Sequence, residues 1–123
     1  MLFDLKKVTE ALDDLGHTTQ IETSGTELIK ADGFTWITLS PKFGMGREIL
    51  AESVERASEI KMVVGCEEDI KNLDALLEDV ETTELIYLQP LSCRKDATEL
   101  CVKTAMERGW QVSLQTHKFM NIR

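Results

Sequence analysis

The sequence predicts an α/β fold in which about five strands alternate with about four helices. Three observations predict it. Short runs rich in β-branched and aromatic residues, such as Thr35–Leu39 and Ile60–Val64, alternate with longer segments whose apolar residues recur every three or four positions. The run Leu85-Ile86-Tyr87-Leu88 is continuously apolar, as expected of a parallel strand buried on both faces. The 123 residues, 42% hydrophobic and 29% charged, are enough for one domain with one core.

Taken in order, Leu5, Val8, Leu12 and Leu15 lie at helical spacing between Asp4, a candidate N-cap, and Gly16, a candidate C-cap, with Phe3 and Val8 placed for a hydrophobic staple. Thr18–Glu22 reads as a strand, Thr23-Ser24-Gly25-Thr26 as a turn, and Thr35-Trp36-Ile37-Thr38-Leu39 as a second strand. The roughly 12 residues between these strands are few for a helical crossover, which predicts a short loop or single turn. Ser40–Gly46 has the composition of a loop, and Ile49, Leu50, Val54 and Ala57 predict a helix over Arg47–Glu59. Ile60–Val64 is the third strand, and Ile70, Leu73, Leu76, Leu77 and Val80 form the apolar stripe of the next helix. The strand Leu85–Leu88 stops at Gln89-Pro90, because proline removes a ladder donor. Asp96-Ala97-Thr98-Glu99 has the spacing of a capping box for a helix ending near Gly109, and Trp110, Val112 and Leu114 alternate as a last strand. No low-complexity tract, linker or internal repeat interrupts this rhythm, so the chain reads as one unit.

Acidic residues outnumber basic ones 22 to 14, a formal charge of −8, which argues against a phosphate-binding surface and for a small-molecule ligand rather than nucleic acid. No apolar stretch approaches the roughly 20 residues of a membrane span, and Met1-Leu2-Phe3-Asp4 does not open a signal peptide, so a cytoplasmic protein is expected. Cys66, Cys93 and Cys101, separated by 27 and 8 positions, fit neither a disulfide framework nor a metal knuckle and are read as reduced thiols.

In α/β sheets and barrels, ligands bind beyond the carboxyl ends of the strands, where loop amides and helix N-termini gather. Four segments follow proposed strands: Glu22-Thr23-Ser24-Gly25-Thr26, Ser40-Pro41-Lys42, Gln89-Pro90-Leu91-Ser92 and Gln115-Thr116-His117-Lys118. Their chemistry suits an amino acid or nucleoside: lysine meets a carboxylate, hydroxyls bond ribose, and glutamine reads a heterocycle edge. Each also has an ordinary explanation, respectively a turn, a strand stop with a solvated lysine, another strand stop, and a structural or solvated histidine. His17 is read only as a helix-cap residue. Gly44-Met45-Gly46 lacks the spaced third glycine of a dinucleotide fingerprint. Glu67-Glu68-Asp69 is explained by the helix macrodipole, and no metal ligand is assigned.

Read together, Gln20–Thr26, Ser40–Lys42, Leu88–Ser92 and the C-terminal Leu114–Ile122 resemble, in identity, order and spacing, the 7-carboxy-7-deazaguanine synthases, radical S-adenosylmethionine enzymes of queuosine biosynthesis. The resemblance implies a partial, half (β/α) barrel. It also implies a carbon–nitrogen lyase in which a 4Fe-4S cluster cleaves S-adenosylmethionine. The 5′-deoxyadenosyl radical then abstracts hydrogen from 6-carboxy-5,6,7,8-tetrahydropterin, and magnesium assists a ring contraction with loss of ammonia. By the same resemblance, Ser40, Pro41, Lys42, Gln89, Pro90, Leu91 and Ser92 bind S-adenosylmethionine, Glu22 and Ser24 lie beside it, and His117 faces the substrate. No residue of the chain is assigned a catalytic role or a magnesium contact.

The family's CxxxCxxC cluster motif and Gly-Gly-Glu-Pro segment do not occur here, and the three cysteines cannot be moved into that motif. Residues 1–123 are therefore expected to be the C-terminal part of the barrel without its cluster-binding part, and inactive alone. A half barrel leaves strand edges open, which predicts self-association as a homodimer. Two other functions compete: an activating protein that installs a glycyl radical in a partner enzyme, and a non-catalytic small-molecule-binding α/β module.

Overall fold

Five parallel strands form one sheet in the order in which they occur along the chain: β1 (Gln20–Thr23), β2 (Trp36–Leu39), β3 (Glu59–Val64), β4 (Ile86–Pro90) and β5 (Gln111–Val112). The computed structural model describes residues 4–43, 48–78 and 85–114. Helix α1 (Lys6–Asp14) precedes the sheet, and α2 (Ala51–Arg56), α3 (Glu67–Leu77) and α4 (Lys95–Arg108) join β2 to β3, β3 to β4 and β4 to β5. Right-handed crossovers between strands in unbroken order place their helices on one face, whereas a doubly wound sheet reverses its order at a switch point. The result is an open arc of the expected α/β barrel type.

The core lies between the helices and the outer face of the arc. Leu39, Ile60, Met62, Val64, Ile86 and Leu88 pack there against Val54, Ile70, Leu73 and Cys101. Between β1 and β2 the described residues contain no helix, as the short spacing predicts. That connection is fastened by the Arg56 Nη2, which donates to Asp32 O at 2.9 Å and Thr35 O at 3.1 Å, and by Leu50 N donating to Gly25 O at 2.9 Å.

Several boundaries differ from expectation. The helix expected over Arg47–Glu59 is only Ala51–Arg56, because Ser58 is drawn into the sheet: its N–H donates to Ile37 O at 2.8 Å and its hydroxyl accepts from Ile37 N at 3.0 Å. Strand β4 runs through Gln89 and Pro90 rather than stopping at Leu88, since proline at the last position forfeits only one donor. Nor is it buried on both faces: Ile86 and Leu88 are buried, but Tyr87 is half-buried, because helices cover one side alone. The capping box expected at Asp96–Glu99 does not form. Arg94 occupies the cap, the Thr98 hydroxyl donates back to Arg94 O at 2.8 Å, and Asp96 pairs with Arg94 at 3.3 Å. A capping box forms instead on α3, where Asp69 serves the N-cap Cys66.

Helix α1 ends as predicted, with Gly16 N donating to Asp13 O and His17 N to Leu12 O in a paired C-terminal cap. Its expected apolar stripe is only partly covered, however: Val8 is 56% and Leu15 75% exposed, and Thr9 is the helix's buried residue. Phe3, Gly44 to Arg47, Val80 and Gln115 to Lys118, on which parts of the sequence reading rest, lie outside the described residues.

Candidate functional site

Strand alternation gives the sheet two unlike faces. One carries the core, and the other presents Gln20 and Glu22 of β1, Trp36 and Thr38 of β2, Glu59, Lys61 and Val63 of β3, Tyr87 and Gln89 of β4, and Gln111 of β5. This inner face is polar and wired laterally: Gln20 Nε2 donates to Thr38 Oγ1 at 2.9 Å, and Thr38 Oγ1 donates to Glu59 Oε1 at 2.6 Å. A parallel sheet normally buries both faces in apolar contacts. Acids, a lysine and amides on one of them mark a surface built to line a cavity.

At the carboxyl ends of the strands this face opens into a cleft of about 570 Å³ whose wall includes Glu22, Ser40, Lys42, Lys61, Asp69 and Gln89. That volume lies within the roughly 300–1,000 Å³ range of small-molecule sites. Ser40 and Glu22 are locked together, the hydroxyl donating to Glu22 Oε1 at 3.0 Å. Pro41, also on the wall, is buried, and Lys42 beside it is exposed at the rim. Asp69 Oδ2 accepts from Gly65 N at 2.8 Å and Cys66 N at 3.3 Å, so its carboxylate holds the loop after β3.

Of the residues singled out in the sequence, Glu22, Ser40, Pro41, Lys42 and Gln89 therefore meet around one cleft. Ser24 lies one step past the end of β1, where its hydroxyl is 3.3 Å from that of Thr26 rather than on the cleft wall. Pro90 is buried, while Leu91 and Ser92 are exposed in the single 3-10 turn Leu91–Cys93. Ser92 and Cys93 hold left-handed backbone angles, φ 52° and 55°, unusual for residues other than glycine. Consecutive strained residues cluster at ligand-binding loops, where the surrounding structure enforces them. Leu91 covers Gly65, at which a Cβ would lie 2.9 Å from Leu91 Cδ2, and Arg94 Nη2 donates to Gly65 O at 2.7 Å. The loops after β3 and β4 are thus packed as one unit. His117 lies outside the described residues.

Sequence reasoning missed Glu59, Lys61 and Asp69. Glu59 and Lys61 gave a signal in their spacing of two across an otherwise apolar strand. That pattern marks a strand with one polar face. Asp69 shares its acidic run with Glu67 and Glu68, but it alone of the three reaches back to the loop.

The thiols do not fit an iron–sulfur cluster. Cys66 is exposed, Cys93 half-buried and Cys101 buried on α4 in the core, where burial pushes its thiol up to about 11, far from thiolate character. Among the described residues, no helix is long and apolar enough to cross a membrane.

No protein-family profile matches the chain. The curated 7-carboxy-7-deazaguanine synthase of Escherichia coli K12 is 45% identical over 98% of the chain and 56% of its own length. That of Buchnera aphidicola from Schizaphis graminum is 41% identical over 99% of the chain and 56% of its own length. The crystal structure of QueE from Escherichia coli superposes with a TM-score of 0.89 at 43% identity, covering 93% of this chain and 52% of that one. The resemblance read from the four segments thus extends across nearly the whole chain, in sequence and in fold. The chain spans a little over half the length of these curated relatives.

Proposed function

We propose that this chain forms the S-adenosylmethionine-holding arc of a 7-carboxy-7-deazaguanine synthase, a radical enzyme acting on 6-carboxy-5,6,7,8-tetrahydropterin in the cytoplasm, and that residues 1–123 correspond to the C-terminal part of that barrel. The observation that carries this reading is the cleft. Four chemically distinct residues from three strand ends, Glu22, Ser40, Lys42 and Gln89, line it in a chain related over nearly its full length to these synthases.

In this reading Glu22 and Ser40 present an acceptor and a hydroxyl to the ribose. Lys42 supplies positive charge at the rim, and Gln89 reads a heterocycle edge. Pro41 and Pro90, both buried, fix the backbone after β2 and at the end of β4, next to these groups. The turn Leu91–Ser92 borders the cofactor, with Ser24 nearby and His117 on the substrate side. Protein groups around such a cofactor orient the reacting atoms and exclude water; the radical chemistry belongs to the cofactor. None of the three thiols fits the 4Fe-4S cluster. The chain's own part is binding and positioning.

Isothermal calorimetry of this chain with S-adenosylmethionine tests the reading. Binding is expected, with a roughly tenfold loss in Lys42→Ala, the worth of one charge-assisted contact. Heat identical in the variant removes Lys42 from the site, and no heat for the parent chain overturns the reading. The misfit of the thiols favours a second possibility, a non-catalytic binding module. It would bind S-adenosylmethionine without pterin.

A further inference from the structure

The cleft has a floor as well as a rim, and the floor carries a cation that the strand-end segments do not include. Lys61 lies in the middle of β3, in register with Tyr87 of β4 and through it with Gln111 of β5, on the polar inner face. It is half-buried and lines the cleft. It is the one cation that the described strands place on that face.

The Lys61 side chain has no hydrogen-bond or ion-pair partner among the described residues. The acids around it each hold one oxygen to another group: Glu22 Oε1 accepts from Ser40, Glu59 Oε1 from Thr38, and Asp69 Oδ2 from two backbone N–H groups. A half-buried lysine without a partner side chain has its charge to offer to an incoming anion. In a chain of net charge −8, a partner carboxylate on a neighbouring strand would have been easy to supply. The inner face instead leaves the ammonium directed to a space of ligand size.

We propose that Lys61 is the anchor for a ligand carboxylate in this cleft. The proposal rests on the reading above, in which both ligands of the cleft carry one: the methionyl carboxylate of S-adenosylmethionine and the carboxylate of the pterin. The shared chemistry is a carboxylate meeting an ammonium on the floor, with the Ser40 and Gln89 side chains beside it on the wall.

The test uses the full chain and two ligand pairs, each an acid and its counterpart lacking that acid. The pairs are 6-carboxypterin with 6-hydroxymethylpterin, followed by pterin fluorescence, and S-adenosylmethionine with its decarboxylated form, followed by calorimetry. The parent chain should prefer the acid of one pair by roughly ten- to a hundredfold. Lys61→Met should erase that preference while leaving the affinity for the counterpart without the acid within about twofold, and Lys61→Arg should restore most of it. The pair in which the preference disappears identifies the source of the carboxylate. A preference that survives in Lys61→Met, or an equal loss for both members of each pair, overturns the role of Lys61 and leaves the functional reading intact. Failure of the parent chain to bind any of the four overturns both.

Discussion

Thr38 is buried at the centre of the inner face, and its hydroxyl accepts from Gln20 while donating to Glu59. A single oxygen thereby satisfies an amide and a carboxylate on the strands at either side. Thr38→Val keeps the shape but leaves both neighbours short of a partner, which should cost about 1–3 kcal/mol in urea unfolding, whereas Thr38→Ser should retain most of that. Equal midpoints for Val and parent would mean that water replaces the hydroxyl. Cys101 carries a second residue-level prediction. Its folded-state value, pushed by burial from 9.0 to about 11, is the raised one, so its contribution is fully present below pH 9 and is lost as pH rises through 11. The unfolded chain releases a proton in that window that the folded chain retains. Stability should fall by up to roughly 3 kcal/mol from this group. In Cys101→Ala that share of the pH dependence should vanish, as read from denaturant midpoints at pH 8 and 11.

Gly16 and Gly25 both adopt positive φ, 82° and 79°, yet their elements make different demands. Nothing lies within 4 Å of a Cβ built at Gly16, while one at Gly25 would meet Leu39 Cδ1 at 2.5 Å and Ile49 Cγ2 at 3.1 Å. Gly16→Ala should therefore cost only the conformational penalty of about 1–2 kcal/mol, and Gly25→Ala should cost more, because the turn after β1 must also move off β2. Similar melting shifts for the two would show that the turn yields freely. Arg56 is the tether of the same connection, and Arg56→Ala should speed amide exchange across residues 24–35 before it affects β3 or β4. At this scale the sequence was legible where one local signal acted alone. The strand runs, the Gly16 and Gly109 helix ends and the helix-free β1–β2 connection are of that kind. It failed where tertiary partners competed. Ser58 bonds Ile37 instead of extending α2, and Thr98 turns its hydroxyl to Arg94 instead of joining a capping box.

Over the whole molecule, the candidate site was legible at the strand ends because position in an α/β arc selects them. The floor was legible only in part: the spacing of Glu59 and Lys61 marks one polar face of β3, but which side of the sheet that face takes follows only once the helices are known to cover the other. The same one-sidedness sets the molecule's association. Thr19 O accepts from Trp36 N and Thr23 O from Ser40 N just past β2, so by strand alternation the backbone groups of Gln20 and Glu22 point to the outer edge of β1, which has no neighbour among the described strands. Phe34, 84% exposed, and Val8 and Leu15 of α1 add apolar surface. An unpaired parallel edge beside exposed apolar side chains is a template for another chain, and it outweighs the dispersive effect of a charge of −8 once salt screens it. The chain should self-associate at micromolar concentration in about 0.15 M salt, its sedimentation-average mass rising with loading toward a dimer. Glu22→Pro, which removes an outward N–H, should shift the profile toward monomer if edge pairing drives assembly. Phe34→Ser should do so if apolar contact drives it. A parent chain that sediments as monomer at every loading would mean that the open edge is covered from within its own sequence.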